Sequence, residues 1–237
     1  MTPYDKLMAR KRKWTPVKPV AGKCKEGAEE TIFRALALRH MELPVADFIT
    51  DALATEVPTL SRELLQSNVR DEENHDLALG YIANAYGVDP KAEAEALRLR
   101  EAWTAHPDHT IVKAMVAERS IFFVLLPFFR ANGDAGMRTV SADISRDEQI
   151  HVAANSLVCK ELNLDISPSL DKLRKATINW VMQPLGSNAN KFLDKKFWLD
   201  SSDRLMYEGK APELSFTKSA RMPAFFEHSN VNLPQYA

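Results

Sequence analysis

Apolar positions recur at helical spacing through most of this chain, and strand-like alternation is scarce. From Glu29 to Phe48 the apolar set is Ile32, Phe33, Leu36, Ala37, Met41 and Leu43, which predicts a helix with a kink at Pro44, just after Glu42. Pro58, in EVPTLS, predicts the start of a second helix that runs through Glu72 and His75 to about Ala85, where Gly87 stops it. A short helix follows at about Pro90–Ala102, ahead of an HPDH turn. The third long helix, about Thr110 to Ala131, is apolar nearly all round, which predicts burial on every side. Asn132-Gly133-Asp134 breaks it, and a fourth runs from about Ala135 to Leu162. Further helices are predicted near Ser169–Met182 and Asn188–Tyr207, before an irregular tail from Ala211. The expected fold is all-α: a four-helix bundle core over about 28–162, with extra C-terminal helices and a tail over 163–237. No low-complexity linker interrupts it, so 1–237 reads as a single domain.

Bulk properties narrow the function only by exclusion. A chain of 237 residues, 45% apolar and 27% charged with net charge −1, has enough apolar content for a substantial core. Its charge balance gives no reason to expect a nucleic-acid or membrane partner. The longest apolar stretch, Ile121 to Phe129, is far short of a membrane span and contains Pro127. The basic N-terminus, MTPYDKLMARKRKW, leads into no hydrophobic segment, so no secretory signal is expected. Cys24 and Cys159 lack CxxC spacing and read as free thiols in a reducing cytoplasm.

The chemistry lies in a repeated set of residues. Glu42 precedes Glu72 and His75, and Glu118 precedes Glu148 and His151, with the two sets 76 residues apart. In both, the lone glutamate stands 30 residues before a Glu-x-x-His that follows an aspartate: DEENH at 71–75 and DEQIH at 147–151. Glu and His three residues apart share a helix face. Two such helices, with one glutamate from each of two others, form the inward-facing site of a carboxylate bundle that holds a pair of iron or manganese ions. Four carboxylates neutralise two divalent ions, and carboxylate–imidazole sets suit those metals. One Glu-x-x-His alone could equally be solvated surface charge; the doubling, with Glu118 embedded in VAERSIFFVLLPFF, points to burial. A ligating imidazole normally donates its other N–H to a carboxylate, so Asp147 is expected beside His75 and Asp71 beside His151. His106 and His109 flank a proline in an inter-helix connection and read as loop or capping residues, while His40 and His228 are isolated.

Residues 117–162, AERSIFFVLLPFF…GMRTVSADISRDEQIHVAANSLVCKEL, resemble the small, radical-generating β subunit of class I ribonucleotide reductase, within the ferritin-like superfamily. ISRDEQIH is similar to that family's I-x-R-D-E-x-x-H helix, and a weaker likeness covers 198–227. The chain would be a compact version. The resemblance implies that reduced Fe and/or Mn ions react with an oxygen-derived oxidant to give an oxidising centre. That centre then draws an electron from a cysteine of a separate large (alpha) subunit, where ribonucleotides are reduced to deoxyribonucleotides. It further implies a homodimer and a radical path of Trp14, Asp147 and His75, with Tyr236 as the tail residue. Trp14 also reads as an aromatic anchoring the N-terminal arm, and Tyr236 as a plain terminal residue.

Two departures stand out. Leu79 occupies the position, one helical turn past His75, where the family stores its radical on a tyrosine, although Phe122 and Ile144 match that pocket's apolar lining. Tyr81 points off the ligand face, and Tyr86 lies about 16 Å farther along the axis. The spacing from Glu118 to Glu148 is also shorter than is common in the family by about one helical turn, which implies a missing bulge near Glu118. The alternative reading is a stand-alone dimetal oxygenase acting on a hydrophobic substrate, which the Phe-rich third helix and the missing phenol would suit. An iron-storage protein is a third class, and the 86 residues after His151 speak against it.

Overall fold

The computed structural model describes residues 1–55 and 57–214. Their regular structure is entirely helical, with no strand among the described residues and an irregular stretch over 9–28. The helices are α1 (Pro3–Met8), α2 (Glu29–Ala37), α3 (Glu42–Leu53), α4 (Arg62–Tyr86), α5 (Pro90–Ala105), α6 (Thr110–Ala117), α7 (Phe123–Asn132), α8 (Ala135–Glu161), α9 (Pro168–Met182) and α10 (Lys195–Glu208). Packing runs from α3 to α4, to α8, to α6 and back to α3, which closes a four-helix ring. The fold is therefore the expected all-α bundle. No helix among the described residues is long and apolar enough to cross a membrane.

The first predicted helix is two. A 3-10 turn at Leu38–Met41 separates α2 from α3, so the break precedes Glu42 instead of following it. Pro44 explains the shift: it lacks an N–H and its ring crowds the carbonyl four residues back, so a first helical turn accommodates it best. Pro58 opens another 3-10 turn before α4, and Gly87 ends α4 with φ +101°, a conformation that favours glycine. The last helix begins later than Asn188, because Asn190 caps a separate 3-10 turn at Lys191–Leu193 and α10 starts at Lys195.

Between α6 and α7, Glu118–Phe122 forms a π-helical turn, in which the Phe123 N–H reaches back to the Glu118 carbonyl. The bulge expected to be lost is present. At the hairpin tip Asp134 caps α8 by accepting from the Met137 N–H at 2.8 Å. Local sequence favours the wide turn. Ser120 Oγ donates to the Val116 carbonyl at 2.6 Å, and Pro127 removes an N–H one turn farther on.

The outer helices brace this core. Trp103 on α5 is fully buried and donates to Thr177 Oγ1 on α9 at 3.0 Å. Phe128 on α7 meets Trp198 on α10 edge to face, with ring centroids 5.3 Å apart; such pairs contribute about 0.5–1.5 kcal/mol beyond the area they bury.

A Cβ at Gly133 would lie 2.6 Å from the Phe129 carbonyl oxygen and 2.7 Å from Met137 Cβ, so α7 and α8 would have to separate. Gly133→Ala is expected to destabilise the fold by about 1–3 kcal/mol, read as a lower urea midpoint. An unchanged midpoint would show that the hairpin tip has slack.

Candidate metal centre

All six residues of the doubled set are essentially fully buried and face one another at the centre of the bundle. The α3–α4 hairpin carries Glu42, Glu72 and His75, and the hairpin formed by α6, the π turn, α7 and α8 carries Glu118, Glu148 and His151. Three-residue spacing puts Glu72 and His75 on one face of α4, and Glu148 and His151 on one face of α8.

Both imidazoles turn Nδ1 inward. His75 Nδ1 lies 3.3 Å from Glu72, 3.3 Å from Glu148 and 3.8 Å from Glu42. His151 Nδ1 lies 2.8 Å from Glu72, 3.7 Å from Glu118 and 3.9 Å from Glu148. Glu72 and Glu148 thus face both imidazoles, whereas Glu42 and Glu118 each sit beside the histidine of their own hairpin. The rings are stacked with centroids 5.5 Å apart.

The outward nitrogens are tied down across the bundle. His75 Nε2 is 3.4 Å from Asp147 Oδ2, and His151 Nε2 is 3.0 Å from Asp71 Oδ2. Trp14 Nε1 donates to Asp147 Oδ2 at 2.5 Å, and its ring stacks on His75 with centroids 6.2 Å apart. Three further contacts had not been anticipated. Lys11 pairs with Asp71, Arg12 Nε lies 3.5 Å from Asp147 Oδ1, and Asn155 Nδ2 donates to Glu118 Oε2 at 2.6 Å. Asn155 stands one turn past His151, a register that could have flagged it; Lys11 and Arg12 sit in the basic run KRKW, which carries no hint of its partners. His109 caps α6 by accepting from the Ile111 N–H, and His40 pairs with Glu93 at 2.6 Å. Leu79, Phe122 and Ile144 are buried core residues. Tyr236 and His228 lie outside the described residues.

Charge within this cluster is divided unequally. Burial and the Glu72 carboxylate push Glu42 well above the usual carboxylate range, and burial with Glu148 does the same to Glu118. Burial and Glu72 also raise Glu148. For Glu72, burial is outweighed by His151 and His75, which hold its carboxyl low. Burial opposes charge on the imidazoles too, but Asp147, Glu148 and Glu72 raise His75 well above its ordinary value, and Glu72 with Asp71 brings His151 to about 10.

The donor set fits metal. Glu42 Oε2, both oxygens of Glu72 and Glu148, Glu118 Oε1 and both inward Nδ1 atoms are buried without a hydrogen-bond partner. Buried polar atoms are rarely left so, and carboxylates least of all. Cations bound among them would supply partners for these atoms. Atoms of Glu72, His75, Glu148 and His151 lie within 4.8 Å of one another, close enough to share an ion.

No protein-family model matches the chain, and no curated protein matches it in sequence. Its fold is similar to a crystal structure from Bacillus halodurans provisionally named a class I ribonucleotide reductase. The TM-score is 0.57 at 17% identity, over 93% of this chain and 97% of that one.

The division of charge predicts opposite responses to two isosteric changes in metal-free protein. Glu72 is ionised, so its contribution is present above the unfolded carboxylate pKa of about 4.3 and is lost as pH falls through its depressed folded value. Glu72→Gln at pH 7 is expected to cost about 3–5 kcal/mol, since it strands two buried imidazoliums. Glu42, whose pKa burial and Glu72 raise well above the usual carboxylate range, is expected to tolerate Gln with little change. Urea unfolding in chelator compares the two, and equal losses would refute this distribution of charge.

Proposed function

We propose that this chain is the radical-generating small subunit of a class I ribonucleotide reductase and works with a separate large subunit. The observation that carries the reading is the buried meeting of two Glu/Glu-x-x-His sets, joined through His75 and Asp147 to Trp14. The similarity in fold to the Bacillus halodurans protein supports it.

In this reading Glu42, Glu72, His75, Glu118, Glu148 and His151 hold two metal ions, iron, manganese or one of each. When bound, the ions supply a redox centre that an oxygen-derived oxidant brings to an oxidising state. The protein's part is to hold and orient. Glu72 and Glu148 face both imidazoles and Glu42 and Glu118 face one each, so all four carboxylates would be available to hold the ions. Asp147 accepts from Trp14 Nε1 and faces His75 Nε2, so it fixes the imidazole and ties a partly exposed indole to the centre. Tyr236 would continue the path to the large subunit. Exposed Leu43, Leu60, Leu77 and Val88 are in keeping with a homodimer.

A second reading is a dimetal oxygenase acting on a hydrophobic substrate. It is favoured by buried Leu79, which puts hydrocarbon where the reductase family keeps a phenol. Protein reconstituted with iron, manganese or both, and followed by elemental analysis and electron paramagnetic resonance, identifies the metals and any organic radical. Turnover of a lipid-like substrate by this chain alone, with O₂ and a reductant, would favour the oxygenase. Nucleotide reduction that requires the large subunit would favour the proposal.

Glu118→Ala is expected to lose most of the bound metal in elemental analysis, and full occupancy would remove Glu118 from the ligand set. Tyr236→Phe is expected to keep its metal and lose nucleotide reduction with the large subunit; unchanged turnover would take the tail tyrosine off the path.

A further inference from the structure

Arg174 on α9 is fully buried although it carries a charge, and nothing in the proposed chemistry uses it. Its Nε donates to Asp171 Oδ1 at 2.9 Å and its Nη2 to Asp203 Oδ1 at 2.7 Å, so its charge is compensated. The remaining arm, Nη1, donates to Ser202 Oγ on α10 at 2.9 Å. Ser202 Oγ passes its own proton on, donating to the Ser120 carbonyl at 2.7 Å. That carbonyl lies inside the π turn that begins with Glu118. One position earlier, Arg119 Nε donates to the Leu205 carbonyl of α10 at 2.8 Å. The wide turn is therefore pegged to α10 at two consecutive residues.

A π turn disturbs the regular pairing of helix carbonyls, so it persists where outside groups supply partners. Ser202 supplies one, and Arg174 orients its hydroxyl by occupying an acceptor site. Rewinding the turn to α geometry would change the helix phase by about 100° per residue. That would swing Glu118 away from His151 Nδ1, now 3.7 Å distant, and from Asn155, whose amide holds Oε2 at 2.6 Å. Glu42 enters from another hairpin and is untouched by this linkage.

We infer that Ser202, oriented by Arg174, is a positioning residue that holds the π turn open and so fixes Glu118 at the His151 end of the centre. The inference rests on the dimetal reading. It gives the C-terminal helices a role in setting the geometry of one metal position out of two.

Metal-free full-length chain is titrated with manganese(II), and free ion is counted by electron paramagnetic resonance. Wild type is expected to take up two ions. Ser202→Ala is expected to keep one site at wild-type affinity and to weaken the other at least tenfold. Ser201→Ala is the control, because that equally buried hydroxyl bonds Phe197 and Glu213 and not the π turn. It is expected to lose similar stability in urea while binding both ions as wild type does. Two unchanged sites in Ser202→Ala, or equal weakening by Ser201→Ala, would overturn the positioning role. A wild type that takes up fewer than two ions would overturn the dimetal reading itself and this inference with it, a failure visible before any variant is measured.

Discussion

Four glutamates and two histidines stand together at the centre of a helical bundle, shielded from water, and the rest of the structure answers to that constraint. Like charges at this separation in a low-dielectric interior repel strongly. Without metal, burial and neighbouring carboxylates raise Glu42, Glu118 and Glu148 above the usual carboxylate range, the carboxylates raise both imidazoles, and the histidines hold Glu72 low. Cations bound there would remove the conflict, since they would take the inward lone pairs and displace protons. The greasy helices α6 and α7 supply the dryness that makes each of these interactions strong.

The outer layer keeps this arrangement from collapsing. Each histidine is tied through Nε2 to an aspartate of the opposite hairpin, and each aspartate meets a basic residue of the N-terminal arm, Lys11 at Asp71 and Arg12 at Asp147. This outer layer differs between the two ends in that Trp14 joins Asp147 alone. One side of the centre thus carries an indole beside its histidine.

Much of this could be read from sequence because helical periodicity and a doubled motif both act over short range. Spacing alone placed Glu72 with His75 and Glu148 with His151 on shared faces, and the need of a ligating imidazole for a carboxylate partner anticipated the crossed aspartates. What escaped depends on contacts that spacing does not encode. The break before Glu42 follows from the crowding by Pro44 of a preceding carbonyl, which moves the irregularity upstream of the proline. The π turn at Glu118 depends on Ser202, Leu205 and Arg174, more than 50 residues away along the chain, and no local pattern announces such partners. Asn155 was missed for a related reason: an amide on a helix is unremarkable until the oxygen it meets is known.

The 76-residue repeat has an architectural consequence. Each helical hairpin carries half of the ligands, and Glu72 and Glu148 are the side chains that reach across to the other half's histidine. Two copies of a single ancestral hairpin, paired face to face, would enclose the same six donors with perfect twofold symmetry. What distinguishes the two halves then lies in one-sided features: the widened turn in the second copy, the indole over the first copy's histidine, and the trailing helices that pack against the second. The molecule reads as a symmetric cage made directional by its accessories.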